Sequence, residues 1–214
     1  MLIDAELDKN IRKGITQLLD IIEEAQLFAN VSITDYYYME INERIQTSVK
    51  ILDKKLGHMD TDEQIDNYFV KMGELGFTPE ESVYDSLLHT VSLGISVYEV
   101  SKMFLFVILD KSKVNVQETM PLGKFLRTLG GKLYQDKKLI ENLVSFFDVN
   151  FRNRLAHEKW WYKNRFFNYV DEDDNNTVKQ LTMEQLQKKF IQISLILTYL
   201  SKIYIEKYQP KYAM

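Results

Sequence analysis

Apolar residues recur every three or four positions along most of this chain, and this spacing constrains the fold more than any other feature of the sequence. The first stripe consists of Leu7, Ile11, Ile15, Leu18, Ile22 and Ala25. It predicts a helix over residues 2–29, because an amphipathic helix buries one such face. The same pattern continues to the last helix, which begins at Thr182 and is expected to end before Pro210. It predicts an all-α fold, an antiparallel bundle of about six helices.

The periodicity changes in one place. Residues 166–170 and 177–181 are rich in aromatic and β-branched residues, and a polar run joins them. This pattern predicts a small β-hairpin inserted before the last helix.

No repeat and no Pro/Gly/Ser-rich linker divides the 214 residues, so we predict a single domain over residues 1–214. Its N-terminal helices would occupy about residues 1–77, and its core about residues 78–207. The division falls at Thr78, Pro79 and Glu81, which form a strong helix start signal.

Composition limits the chemistry and the compartment. The chain has no cysteine, and its three histidines lack the spacing of metal ligands, so we expect no metal and no other cofactor. The first ten residues are charged where a secretory signal is apolar. The most apolar stretch, residues 91–109, contains Glu99 and Lys102, which favours a buried helix over a membrane span. We therefore predict a cytoplasmic protein without membrane association.

Charge is distributed unevenly. Residues 111–165 carry twelve Lys or Arg against five Asp or Glu, although the whole chain has a net charge of −4. This segment favours an anionic ligand on one surface. Basic residues that only solvate helix faces are the alternative.

The basic segment contains residues 146–161, FFDVNFRNRLAHEKWW, predicted as one helical run. In a helix, Asn153 and His157 lie on one face, and Arg152 points about 100° away with a side chain long enough to reach back. A cation beside a group that titrates near neutral pH suits a phosphodiester, because one holds the phosphate and the other moves a proton.

The same run has two apolar faces. The face predicted to pack on the core consists of Leu143, Phe147, Phe151 and Leu155. The opposite face, predicted as a dimer interface, consists of Phe146, Val149, Ala156 and Trp160. Arg154 and Glu158 fall on the core side, which leaves open a bend or an end of the helix at this point.

Arg152, Asn153 and His157, read as RNRLAH, resemble the R-(polar)-x3-H motif of HEPN domains, the helical family named for higher eukaryotes and prokaryotes nucleotide binding. The late position of the motif, the tryptophan after it and the long final helix also resemble that family. The additional N-terminal helices and the hairpin depart from the simplest family pattern and leave the subfamily open.

Many HEPN domains are metal-independent endoribonucleases with an active site shared between two protomers. The resemblance implies that His157 acts as general base or acid, that Arg152 binds the phosphate, and that Asn153 orients one of them or contacts the substrate. The products would be a 2′,3′-cyclic phosphate and a 5′-hydroxyl. The basic residues expected to contact RNA are Arg154, Lys159, Lys163 and Arg165.

Three hypotheses follow. The first is a homodimeric HEPN ribonuclease, a toxin or antiviral defence effector with an antitoxin or defence partner. The second is a non-catalytic HEPN module that binds RNA, nucleotide or a protein. The third is a helical dimeric interaction protein, in which Arg152 pairs with Asp148 and His157 only ends a helix.

Overall fold

The structure, a computed structural model, describes residues 5–31, 62–133, 146–171 and 177–212 together with the single positions Glu43, Thr47, Lys50 and Ile51. Apart from these four helical positions, the helix predicted after residue 34 lies outside the described residues, as does the predicted start of the central helix near Lys138. Within them the chain is mostly helical and carries one small sheet. The helical fold class is therefore confirmed.

The structural elements follow in chain order. The helices are α1 (Ala5–Glu24), α2 (Asp62–Glu74), α3 (Pro79–Ile108), α4 (Leu122–Leu133), α5 (Val149–Ala156) and α6 (Met183–Ile203). A π-helical turn, Tyr204–Tyr208, joins α6 to a last short helix, α7 (Gln209–Tyr212). The strands are β1 (Trp160–Lys163), β2 (Phe166–Asp171) and β3 (Thr177–Leu181), and they form an antiparallel sheet in the order β1-β2-β3.

Two predicted helix starts are confirmed by their caps. The Thr78 N–H donates to Glu81 Oε2 at 2.8 Å, and the Glu81 N–H donates to Thr78 Oγ1 at 3.3 Å. Thr182 forms the same reciprocal pair with Gln185. Each cap satisfies N–H groups that the first turn of a helix leaves without partners.

Two predicted helix ends differ from the structure. α1 ends at Glu24 and not at residue 29, because Gln26 adopts a φ of 55° and Phe28 then forms a β-bridge with Leu109. The helix α6 ends at Ile203, but helical structure continues through the π-helical turn into α7, which contains Pro210. The π-helical turn lets the Gln209 N–H bond to the Tyr204 carbonyl, and Pro210 has no N–H to leave unpaired.

Side chains pack in two clusters along the bundle. The first joins α1, α4 and the C-terminal halves of α3 and α6. The second joins the N-terminal halves of α3 and α6 to α5 and the sheet; its buried members are Leu87, Val91, Phe151, Leu155, Trp160, Phe167, Leu186 and Phe190. The second cluster therefore fixes the motif-bearing helix α5.

The long helices α1 and α6 run in the same direction. The Tyr199 hydroxyl donates to Asp8 at 2.7 Å, and the Tyr208 hydroxyl, further along, donates to Asp20 at 2.6 Å. The predicted antiparallel arrangement is thus not seen between these two helices.

The helices α3 and α6 also run in the same direction and approach closely. Gly94 lies against Phe190, and ten residues further along α3 the Phe104 ring contacts the Tyr204 ring with centroids 5.9 Å apart. A Cβ placed on Gly94 would lie 2.1 Å from Phe190 Cε1. Any larger residue at this position would therefore have to displace the Phe190 ring.

By length and apolar composition α3 could span a membrane, and it is the one helix of this kind among the described residues. Its most apolar segment is 50% buried inside the chain. A core helix of a soluble protein passes the same test, and the packing of α3 against α6, α5 and α4 fits that interpretation.

The sheet has one strand more than predicted. The hairpin of β2 and β3 is confirmed, and β1 pairs with the other side of β2. Asn164 and Arg165 connect β1 to β2 with φ values of 52° and 67°. This pair of positive angles is typical of a type I′ turn, whose twist matches that of the strands.

We expect Gly94→Ala to lower the free energy of unfolding by about 1–3 kcal/mol, because Phe190 is buried and must move. Gly131→Ala is the matched control, since a Cβ at this exposed position of α4 meets nothing within 4 Å. We expect the control to be stabilising by up to about 1 kcal/mol. Urea denaturation measures both, and two variants of equal stability would contradict the close crossing.

Candidate functional site

The predicted single helix over residues 146–161 is interrupted at Asp148. This residue has a φ of 43°, and its carboxylate accepts the Phe151 N–H at 3.4 Å, so that α5 begins at Val149. Aspartate tolerates the left-handed conformation and is a favoured N-cap. The prediction of one continuous helix was wrong because this cap lies inside an apolar periodicity that continues through it.

The helix α5 ends at the motif itself. The Glu158 N–H donates to the Leu155 carbonyl at 3.2 Å, and the Lys159 N–H donates to the Arg154 carbonyl at 3.0 Å. With a φ of 54° at Glu158, these bonds form a Schellman end. This position is usually glycine, so the sequence carries no strong signal for the end.

His157 is the last residue before this turn. Its backbone N–H still bonds to the Asn153 carbonyl at 3.0 Å, and its side chain is exposed. The backbone thus keeps Asn153 and His157 one helical turn apart, as predicted. The imidazole stands at the C-terminal end of a helix, facing solvent.

The Arg152 side chain reaches to α3. Its Nη2 forms an ion pair with Glu99, and its Nη1 donates to Asn153 Oδ1 at 3.1 Å. Its Nε is buried and has no hydrogen-bond partner among the described residues. The side chain is 15% exposed. Arg152 therefore joins the motif to the central helix and presents little of its surface to solvent.

Glu99 holds a second cation. Lys102 Nζ lies 2.8 Å from Glu99 Oε2 and also donates to the Met120 carbonyl at 3.2 Å. Burial raises the pKa of Glu99, but the hydrogen bond from Lys102 and the charge of Arg152 outweigh it, so the pKa lies below its ordinary value of 4.5. Sequence reasoning missed the contact of Glu99 with the motif, and an acid on the most apolar helix was the available signal.

Asp148 pairs with a different cation from the one predicted. Its carboxylate forms an ion pair with Lys189, which also lies 4.8 Å above the Phe151 ring. The alternative in which Arg152 pairs with Asp148 is therefore wrong.

Burial raises the pKa of Tyr98 well above its ordinary range, and the nearby Asp148 charge adds to this effect.

The residues predicted to contact RNA are divided between the interior and the surface. Arg154 is 6% exposed and is one of the buried residues of α5. Lys159, Lys163 and Arg165 are exposed. They lie before β1, at its end and in the type I′ turn, so the sheet and not the helix carries them.

The predicted dimer face is largely covered by this chain. Val149 is 3% exposed and Trp160 is 7% exposed. Trp160 lies on β1 and stacks on Phe167 with ring centroids 5.1 Å apart. Phe146 is half-buried and rests beside Gly14 of α1. The four residues, which also include the half-buried Ala156, do not form a free face: Phe146 faces α1, Val149 lies against Gly123 of α4, and Trp160 packs in the second cluster.

Comparison with protein-family models, with curated proteins and with solved structures finds no match. The described residues hold no group of three or more His, Asp or Glu side chains placed to bind a metal ion. The site is therefore described by its own groups: an exposed imidazole, an amide and an anchored guanidinium on one short helix.

We expect Glu99→Gln to lower the free energy of unfolding at neutral pH by about 1–2 kcal/mol, because buried Lys102 loses its counter-ion. The loss is smaller than for a fully buried pair, since the Glu99 side chain is 36% exposed. The folded-state pKa of Glu99 is lowered, so its contribution is present above pH 4.5 and is lost as the pH falls through the folded value. The difference between wild type and variant should shrink in acid.

Urea denaturation at neutral and acidic pH measures this effect. Glu184→Gln is the control, because the pair of Glu184 with Lys188 at 2.9 Å is exposed. We expect this control to change stability by less than about 0.5 kcal/mol. Equal losses in the two variants would show that the Glu99 ion pairs contribute no more than a surface pair.

Proposed function

We propose that this protein is a metal-independent endoribonuclease of the HEPN type. The observation that carries the proposal is the exposed His157 imidazole, one helical turn from Asn153 and at the C-cap of the short helix that carries Arg152. The R-N-x3-H spacing supplies the resemblance, and α5 supplies a common support for the three side chains. Neutral imidazole is suited to proton transfer at physiological pH.

In the proposed reaction His157 takes the proton of a ribose 2′-hydroxyl, and the resulting oxygen attacks the adjacent phosphorus. The bond from phosphorus to the 5′-oxygen breaks, which leaves a 2′,3′-cyclic phosphate and, after protonation, a 5′-hydroxyl. No water and no metal enters this balance. The same imidazole, when protonated, is suited to the reverse role of acid toward the leaving oxygen.

Arg152 and Asn153 would bind the phosphate. Glu99 fixes the Arg152 guanidinium. The guanidinium would therefore meet the substrate in one orientation, and Arg152 would lose little side-chain freedom on binding. Asn153 accepts from Arg152 through Oδ1, which leaves its amide nitrogen to donate to a phosphate oxygen. Charge that develops on the phosphate would then be stabilised from the helix side.

A second candidate is a HEPN module that binds RNA or nucleotide without cleaving it. The ion pair of Arg152 with Glu99 favours this function, because the carboxylate already compensates the guanidinium charge. A role as a toxin or defence effector with a cognate partner, and assembly as a homodimer, accompany the first candidate as proposals.

We expect His157→Ala to reduce RNA cleavage by at least about a hundredfold while leaving stability unchanged, because the exposed imidazole makes few packing contacts. Cleavage of a labelled mixed-sequence RNA in EDTA, with analysis of the product ends, measures this. His89→Ala is the matched control, since His89 is a second exposed histidine, 3.7 Å from Asp85 on α3.

The ribonuclease requires that wild type and the His89 variant leave cyclic phosphate ends and that DNA is not cut. Equal inactivity of all three proteins, with RNA binding retained, would replace it by the binding module. Equal activity of all three would remove His157 from the mechanism.

A further inference from the structure

The outward face of the sheet carries two exposed aromatic rings. The strand register places Trp161 opposite Asn168, and Lys163 opposite Phe166, on the face that points away from the second cluster. Trp161 and Phe166 are each 37% exposed. Neither ring packs against another aromatic ring of the described residues, whereas the neighbouring Trp160 stacks on both Phe167 and Tyr84.

The stretch of chain that carries these rings is basic, although Glu158 and Asp171 flank it. Between Lys159 and Val170 the sequence contains three cations, at Lys159, Lys163 and Arg165, and no acidic residue. All three cations are exposed. A surface that combines exposed aromatic rings with positive charge is complementary to a strand with stacked bases and phosphates. A protein partner bound through apolar contacts gives no reason for this excess of one sign of charge.

A buried amide fixes the backbone that carries the two rings. Asn168 is 2% exposed, and its Nδ2 donates to the carbonyls of Phe166 at 2.9 Å and Trp161 at 3.4 Å. Its Oδ1 accepts from Gln180 of β3 at 2.9 Å. One side chain therefore ties the three strands together beneath the rings, and the face is formed before any ligand arrives.

The register makes the two ring-bearing residues neighbours. Trp161 and Phe166 are diagonal neighbours across β1 and β2, and such residues are about 7–8 Å apart, within reach of aromatic side chains. One short stretch of a nucleic-acid strand can therefore contact both rings.

We propose that this face binds single-stranded nucleic acid. Bases stack on Trp161 and Phe166, and Lys163 and Arg165 hold the phosphates. The inference deepens the proposed function, and rests on it in taking RNA as the natural ligand, since β1 begins just beyond His157 and a strand bound here leads to that residue. Recognition through base faces and phosphates does not use the 2′-hydroxyl, so DNA binds as well.

This difference allows binding to be tested apart from cleavage. Anisotropy of a labelled mixed-sequence DNA oligonucleotide, which the proposed reaction cannot cut, measures the affinity of each folded variant. We expect Trp161→Leu to weaken binding by about tenfold and Trp161→Phe by much less, because leucine keeps the apolar surface and loses the ring. Phe77→Leu, which changes a 42% exposed ring between α2 and α3, should have no effect.

The cations are tested by the salt dependence of the same affinity. Lys163→Gln removes one phosphate contact and should reduce the slope of log affinity against log salt by about 0.7. Lys13→Gln, an exposed position on α1, should leave the slope unchanged.

Three results would overturn the proposal: no binding by wild type, equal affinities of wild type and Trp161→Leu, or a dimer that Trp161→Leu dissociates without a change in affinity. The last would make this face an interface between two protein chains. Binding that depends on Trp161 without any RNA cleavage would support the nucleic-acid-binding face and reject the ribonuclease. RNA cleavage that is unchanged in Trp161→Leu, with unchanged affinity, would support the ribonuclease and reject the binding face.

Discussion

The structure depends on the close approach of α3 and α6 at Gly94. Because this residue has no Cβ, the Phe190 ring lies directly against the α3 backbone. The two parallel helices then share both clusters, one toward their N-terminal ends and one toward their C-terminal ends. The second cluster, at the N-terminal ends, supports α5 and the sheet, and these carry the groups proposed to contact RNA. A contact in the core thus determines the position of the candidate site. A larger side chain at Gly94 would therefore shift residues at the surface.

Helix α5 has eight residues and is too short to be stable by itself. Packing of Phe151 and Leu155 holds it from below, and two ion pairs hold it from the sides, Arg152 with Glu99 and Asp148 with Lys189. The arginine of the motif is consequently a structural residue, whatever chemistry it performs. A loss of activity in an Arg152 variant must be separated from a loss of structure, whereas His157 is exposed and can be tested alone.

The sequence predicted the long helices well, because apolar stripes and capping boxes are local signals. It failed where the backbone turns without glycine: Asp148 and Glu158 adopt positive φ angles as non-glycine residues. Because no glycine marks the end of α5, the strand β1 was not predicted, and Trp160 was assigned to the helix. The assumed continuous helix also made four buried residues resemble a second, open apolar face. Periodicity shows that a face is apolar, but it does not show which part of the chain covers that face. The Glu99 contact joins positions 53 residues apart, a distance over which a single sequence carries no pairing signal.

The two adjacent tryptophans show how the end of α5 changes the functional interpretation. On a helix they would lie about 100° apart and could share an interface, but successive residues of a strand point to opposite faces. Trp160 therefore fills the cluster that supports α5, and Trp161 stands on the outward face among cations. With Arg152 paired to Glu99, the exposed positive charge near the motif lies on the sheet side. In the proposed reaction a phosphate would accordingly approach His157 from the sheet, and the helix would supply only the groups that act on it.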